Sequence, residues 1–433
     1  MSLSVAQLAQ AKKLAGFAML PAIGFLSSLV VLPVISARFG STGWPSVALG
    51  MSIGSGAGIL SELGWGVSGP MRVARAAPSA AAQLYMTSLV TQAMVALPMS
   101  IVAAAIAAVI APAYVATSAM MAFASCWAAL SPAWFFVGTG QPRNIMLTDT
   151  IPRVVLSFAT AGAMWLLRGP LWLYPAGQLV AVVFGLMLGK RLTGGRLRQV
   201  RRFGARRLRR IMRFQITELQ GNVASSMYIA LPTAIVGVVS PASLGVFSAA
   251  NRLQRMLLRL LNSLPNAFQN WVGSGGTPDL RRARAMRAVK INAAVGALCG
   301  AGFAVAAPLV SEILFAGEFT VGYELAALCG VVIFSTQTSR ASGRVALVAF
   351  RRVDILRTSA VVGGCLGLVA VVVGAHFAGA AGAMAAEGLA EISVLTIQLR
   401  GLRRIQSERK RKATSTYGLS ADGRLDGDFG TDL

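Results

Sequence analysis

Acidic residues are scarce in this chain and histidine is nearly absent. There are 15 Asp and Glu against 40 Lys and Arg, and His376 is the one histidine. A single histidine leaves no His-based acid/base or zinc centre, so no catalytic or metal-binding residue is expected. No GxxxxGK[ST] segment is present to cradle nucleotide phosphates, which argues against an ATP motor or any cofactor in this chain. Charge is also missing from long stretches. Residues 76–142, a run of 67, contain no Asp, Glu, Lys, Arg or His. A membrane crossing needs roughly 20 apolar residues, so this run suffices for two. The few cysteines, Cys126, Cys299, Cys329 and Cys365, all lie in apolar stretches without metal-type spacing and read as small buried hydrophobes. No removable signal peptide is expected, since the first residues lack a short apolar core followed by a small-residue cleavage site.

What is abundant is apolar surface and positive charge, kept apart. Mean hydropathy is +0.65, with 55% hydrophobic and 13% charged residues, far from a soluble domain, where about 25% are charged. Twelve spans are expected, near 14–37, 44–69, 83–110, 114–138, 145–167, 170–189, 212–238, 242–272, 289–311, 320–349, 355–375 and 378–399. The Lys and Arg residues test this topology. Thirty-two fall in gaps or at the adjoining span ends on one side, two (Arg38 and Arg168) in gaps on the other, and six deeper within spans. The expected protein is therefore an all-α, multi-pass protein of the cytoplasmic (inner) membrane with both ends cytoplasmic. The net charge of +25 borders membrane spans, where it meets anionic lipid headgroups rather than nucleic acid.

The basic gap Lys190–Arg213 separates two halves of six spans. The expected organisation is a bundle at 1–189, a cytoplasmic linker at 190–211, a second bundle at 212–403 and a polar tail at 404–433. The tail is too poor in apolar residues to order itself. Arginines recur near helical spacing through Arg198–Arg213, which suits an amphipathic helix on the anionic leaflet as well as a solvated linker. The halves share a Leu-Pro pair, at 32–33 and 231–232, in LPVISARFGSTGWPSVALG and LPTAIVGVVSPASLGVFSAA. VGTGQPRN at 137–144 pairs similarly with LVAFRRVD at 347–354. An even number of spans per half makes this a parallel repeat about an axis normal to the membrane.

Charged groups inside a bilayer are costly and face a cavity or a partner. In the eighth span, Ser248, Arg252, Arg255, Arg259, Asn262 and Asn266 fall within roughly an 80° arc at helical spacing. Three guanidiniums exceed what one neighbouring acid neutralises, which favours a cavity for an anion with several oxygens; Arg presents a planar fork that matches phosphate. Gln215, Glu218, Asn222 and Ser225 form a similar stripe on the seventh span, suited equally to cavity lining and to interhelical hydrogen bonding. In the second span Glu62 is the residue that needs explaining among small neighbours. Arg340 and Arg344 are expected to pair with Glu387 and Glu391, and Asp149 with Arg153 in its own helix.

Three stretches carry a family resemblance: LPVISARFGSTGWPSVALGMSIGSGAGILSELGWG at 32–66, SPAWFFVGTGQPRN at 131–144 and LGVFSAANRLQRM at 244–256. With the six-plus-six layout they resemble the Wzx-like lipid-linked oligosaccharide flippases, in the polysaccharide-transporter branch of the multidrug/oligosaccharidyl-lipid/polysaccharide exporter superfamily. The resemblance implies two six-helix bundles around a central cavity, alternating access, no enzymatic activity and a polyprenyl-diphosphate-linked oligosaccharide as cargo for surface polysaccharide biosynthesis, with glycan polymerase machinery as a partner. It places Arg252 at the motif's basic position, followed by Arg255, Arg259 and Glu62. A departure is that the first half offers few intramembrane cations. The alternatives are a lipid II-type flippase, usually of fourteen spans, a multidrug antiporter, a membrane enzyme of glycan assembly, disfavoured by the short outer loops, and a scaffold that recruits partners without transport.

Overall fold

The structure is a computed structural model that describes residues 5–195, 205–220 and 223–421; its side-chain description begins at residue 23 and omits 205–208, 218, 220, 270, 278, 406 and 408–421. Helices dominate, with no strand among the described residues. Six helices are long and apolar enough to cross a membrane. Two of these hold two spans each. Val5–Glu62 bends at Gly40, where φ is 62°, and Val353–Ala421 bends at Ala378 and Gly379, where Gly379 has φ 54°. Both turns need the left-handed backbone that glycine adopts without penalty. Pro78–Ile110, Val115–Thr139, Leu173–Thr193 and Asp279–Leu314 supply the third, fourth, sixth and ninth spans.

The fourth is itself broken at 129–132, between Val115–Ala128 and Ala133–Thr139, and the remaining four spans are also interrupted. The fifth runs through a π-helical segment, Met146–Thr150, into Ile151–Leu166. The seventh is assembled from Ala205–Gln220, Val223–Ala230 and Pro232–Val239. The eighth breaks between Leu244–Leu261 and Ser263–Gly273. The tenth, Tyr323–Ala341, ends in a second π segment, Ser342–Leu347. Together these make the twelve-span, two-bundle layout that the sequence implies. Two expectations need correction. The second span stops at Glu62, because Leu63 and Gly64 turn left-handed before a short helix Trp65–Ala74. Helix also continues to Ala421, into the segment assigned to a disordered tail. Of the basic linker, Ala205 onward is helical, and 196–204 lie outside the described residues.

Neighbouring spans pack through small residues, as expected where lipid gives helices no hydrophobic reason to associate. A Cβ on Gly54 would strike the backbone of Ala122, and one on Gly300 that of Gly330. The apolar clusters reveal how the halves meet. One joins both halves near the outer surface, with Leu32, Trp44 and Leu171 of the first half against Phe247, Phe315 and Val321 of the second. Toward the cytoplasm the cores separate. Trp65, Tyr85, Trp134 and Phe136 form a cluster within the first half that Ile211 joins, and Val272, Ala288, Leu347 and Leu402 form one within the second. The halves thus share a core outside; inside, apart from the entry of the seventh span, where Ile211 and Phe214 rest on the first half, their cores are separate and a cavity remains between them.

Candidate functional site

Two adjoining cavities lie between the halves. The larger, about 510 Å³, is walled by the first, second, fourth, fifth and sixth spans, and on its far side by Arg252, Met256, Arg259 and Asn262 of the eighth span and Arg340 of the tenth. The smaller, about 360 Å³, lies among the second, seventh and eighth spans and is lined by Trp44, Ser52, Asn251, Arg252, Arg255 and Arg259, among others. Met51, Ser55, Arg252 and Arg259 border both.

The helix breaks explain why charge can stand here. Irregular backbone at membrane depth is tolerated where it lines a wet cavity or is buried in protein. The π segment of the fifth span carries Asp149, and Arg153 follows one turn on; the two pair at 2.9 Å, as expected from their spacing. Ser131 also donates to Asp149 at 3.1 Å. Four arginines, Arg153, Arg252, Arg259 and Arg340, face the larger cavity, and Asp149 is the one carboxylate in its described wall. The wall therefore carries an excess of positive charge.

Each guanidinium is held differently. Arg252 donates from Nη2 to Ser28 Oγ at 2.6 Å, lies 5.8 Å from the Trp44 ring, and keeps a buried Nε without a partner. Arg255 pairs with Glu387 at 3.2 Å, and that carboxylate is fully buried. Asn251 donates to the same carboxylate at 3.1 Å, and the Tyr228 hydroxyl donates to the Glu387 carbonyl at 3.0 Å. Arg340 donates to the Leu258 carbonyl at 2.7 Å. Arg259 is exposed to the cavity, with no carboxylate in ion-pair range among the described residues. Asn262 faces the larger cavity with its Oδ1 unpartnered.

Sequence reasoning thus places Arg252, Arg255, Arg259 and Asn262 on one helix face, and the fold brings them to the cavities. Glu62 behaves otherwise. It lies outside both linings and folds back onto Gly66, because the left-handed turn at Leu63 ends the helix there. Asn222 lies outside the described residues, and Glu218 sits on the helix Ala205–Gln220 with its side chain outside the description. The expected pairing of Glu387 with Arg340 also fails, because Arg255 is the group that reaches Glu387, whereas Glu391 sits within electrostatic range of both Arg255 and Arg340. Arg153, Arg340, Ser28 and Trp44 escaped notice as lining residues. Arg153 and Arg340 were visible as intramembrane charges but read as structural pairs; nothing in the local sequence marks Ser28 or Trp44.

No family model matches the chain, and no curated protein does. Solved structures do. A multidrug resistance MATE family transporter of the MOP superfamily, in an inward-facing conformation, superposes with a TM-score of 0.59 at 12% identity over 91% of this chain and 96% of that one. A MOP superfamily transporter from Pyrococcus furiosus, described as having a binding pocket of reverse polarity that suggests a different function, gives 0.56 at 14% over 92% and 96%. An outward-facing MATE family transporter gives 0.53 at 13% over 92% and 96%. The chain therefore has the fold of the MATE transporters of the MOP superfamily.

Proposed function

We propose that the protein carries a polyprenyl-diphosphate-linked oligosaccharide from the cytoplasmic to the outer leaflet by alternating access, for surface polysaccharide biosynthesis. The observation that carries this is four arginines and one carboxylate around a cavity at the cytoplasmic side, where the cores of the two halves separate. An uncompensated guanidinium in lipid costs at least about 2.5 kcal/mol. In the cavity it stays hydrated and exchanges that water for phosphate oxygens, which the Arg fork engages two at a time. Ser27, Ser125, Ser157, Gln178 and Asn262 line the same space and suit sugar hydroxyls. The lipid tail stays in the bilayer.

A multidrug antiporter is the rival that the fold suggests. A wall of net positive charge repels organic cations, and the Pyrococcus furiosus neighbour, whose reversed pocket polarity is described as suggesting a different function, is a precedent on this fold. Since Arg255 is already tied to Glu387, the cleanest variant is the double R252Q/R259Q. In proteoliposomes it should abolish translocation of a short-chain polyprenyl-diphosphate disaccharide while leaving the protein inserted. Lys at Arg252 should restore part of the rate, keeping charge without the fork. Wild-type export by the double variant, or efficient ethidium efflux by the native protein, would end the proposal.

A further inference from the structure

A third cavity stands apart from the arginines. It is a crevice of about 440 Å³ with an almost wholly apolar wall, set between the second and third spans of one half and the seventh and eleventh of the other. Its wall includes Gly56, Met99, Ile106, Leu231, Val238 and Val372. Ile106, Val238 and Val372 are 44%, 58% and 43% exposed, and all lie in the outer parts of their spans. The occupant at this depth is hydrocarbon.

The wall behind the crevice is the second and seventh spans, and the cationic cavity lies on their other face. Ser52, Ser55 and Ile59 line the cavity, while Ile53, Gly56 and Leu60 line the crevice. Along the seventh span, Ala230 and Thr233 face the cavity; Leu231 and Ala234 face the crevice.

One hydroxyl joins these two helices at the helix break. Ser52 Oγ donates to the Ala230 carbonyl at 2.6 Å and accepts from the Ala234 amide at 3.0 Å. Those two groups would form a single rung of the seventh span's own ladder. Instead the helix parts beside Pro232, and a serine from the opposite half is inserted into the rung. The backbone groups exchange one partner for another, so the seam can open without a backbone donor or acceptor being orphaned: the rung simply closes. Gly56 allows the close approach, since a Cβ there would lie 2.7 Å from Leu231 Cδ2.

We propose that this seam, running outward from mid-membrane, is a lateral doorway, that the crevice receives the isoprenoid chain of a diphosphate lipid, and that Ser52 is the latch. The inference rests on the proposed cargo. An amphiphile with an anionic head in the arginine cavity and its tail in the crevice must straddle the second and seventh spans, and the Ser52 rung is where they part.

The test uses farnesyl diphosphate with a terminal diazirine, photolysed in proteoliposomes with the full chain, and peptide mapping of the label. Label should appear on peptides bearing Met99, Ile106, Leu231 or Val238 and fall at least five-fold under unlabelled farnesyl diphosphate. I106W/V238W, which fills the lipid-facing crevice, should cut labelling at least five-fold while leaving inorganic diphosphate binding unchanged. Ser52→Ala should raise labelling several-fold, and Ser52→Thr, which keeps the hydroxyl, should not. Equal, uncompeted labelling of the same peptides by a diazirine-tailed phosphatidylglycerol would show bulk lipid and overturn the site, as would label confined elsewhere. Unchanged labelling in Ser52→Ala would remove the latch. Diphosphate binding that R252Q/R259Q abolishes, with no crevice label, sinks this inference alone; no diphosphate binding at all sinks the proposed cargo.

Discussion

Seven spans of this protein run without interruption and five do not, and the two groups differ in what they carry. The uninterrupted third, ninth and eleventh spans are apolar, and the ninth and eleventh meet their neighbours through close contacts of small residues. The fifth, seventh, eighth and tenth are broken by π turns, a proline or a change of direction, and they bear Asp149, Arg153, the arginine row and Arg340. A broken helix frees backbone groups that lipid cannot satisfy, so it survives only against protein or a wet cavity. The same hydrated setting lets a guanidinium remain charged. Irregular backbone and arginines thus coincide in these four spans, although the uninterrupted twelfth also buries a carboxylate, Glu387.

That division can be broken from either side. The largest effect should come from Glu387→Ala, which strands Arg255 of the eighth span beside a hole in the twelfth. Breaking a buried pair costs about 3–5 kcal/mol, and Arg255 keeps some access to the cavity, so the loss should lie near the lower figure. A thermal melt in detergent would read it, and E387Q should recover part of the stability. Gly54→Val attacks the regular group. Its new Cβ meets the backbone of Ala122, which cannot move aside as a side chain does; overpacking of this kind costs about 1–3 kcal/mol, here toward the upper figure. Transport and folding yield should fall in step.

Arg153→Gln should separate the two groups most cleanly. The Asp149–Arg153 pair is an i,i+4 contact with partly exposed side chains, worth about 0.3–0.5 kcal/mol. Stability should barely change, yet translocation should fall several-fold because a cavity cation is lost; equal losses in both would blur the distinction. The smallest effect belongs to the cytoplasmic turn before the eleventh span. Arg352 beside Asp354, bonded at 3.0 Å, holds that carboxyl below the usual carboxylate range. A carboxyl depressed on folding stabilises above its unfolded value and loses that contribution as pH falls through the folded one. Asp354→Asn should therefore match the native protein in acid and melt slightly lower at neutral pH. A difference that grew as the pH fell would contradict it.

The site was legible wherever it lay on one helix. Arg252, Arg255, Arg259 and Asn262 share a face by helical periodicity alone, and that face does meet the cavities. Glu62 misled because its helix ends at a left-handed Leu63, a turn that an apolar neighbourhood does not announce. The pairing of Glu387 with Arg255 rather than Arg340 misled for a different reason. Matching one-turn spacing on two helices says which charges could meet, and only the relative rotation of the helices says which do.

Composition and order were enough to dictate a twelve-span α-helical membrane protein in two halves, with a row of arginines that could not face lipid. Those outcomes follow from local rules: the length of apolar runs, the side on which positive charge collects, and the 100° step between helical residues. The tertiary structure alone decided that the halves share a core outside, with Trp44 against Phe315, that Ser28 of the first half holds Arg252, and that Ser52 enters the ladder of a helix some 180 residues away. These contacts join residues far apart in the chain, and no local pattern encodes a distance that only the packing of two bundles creates.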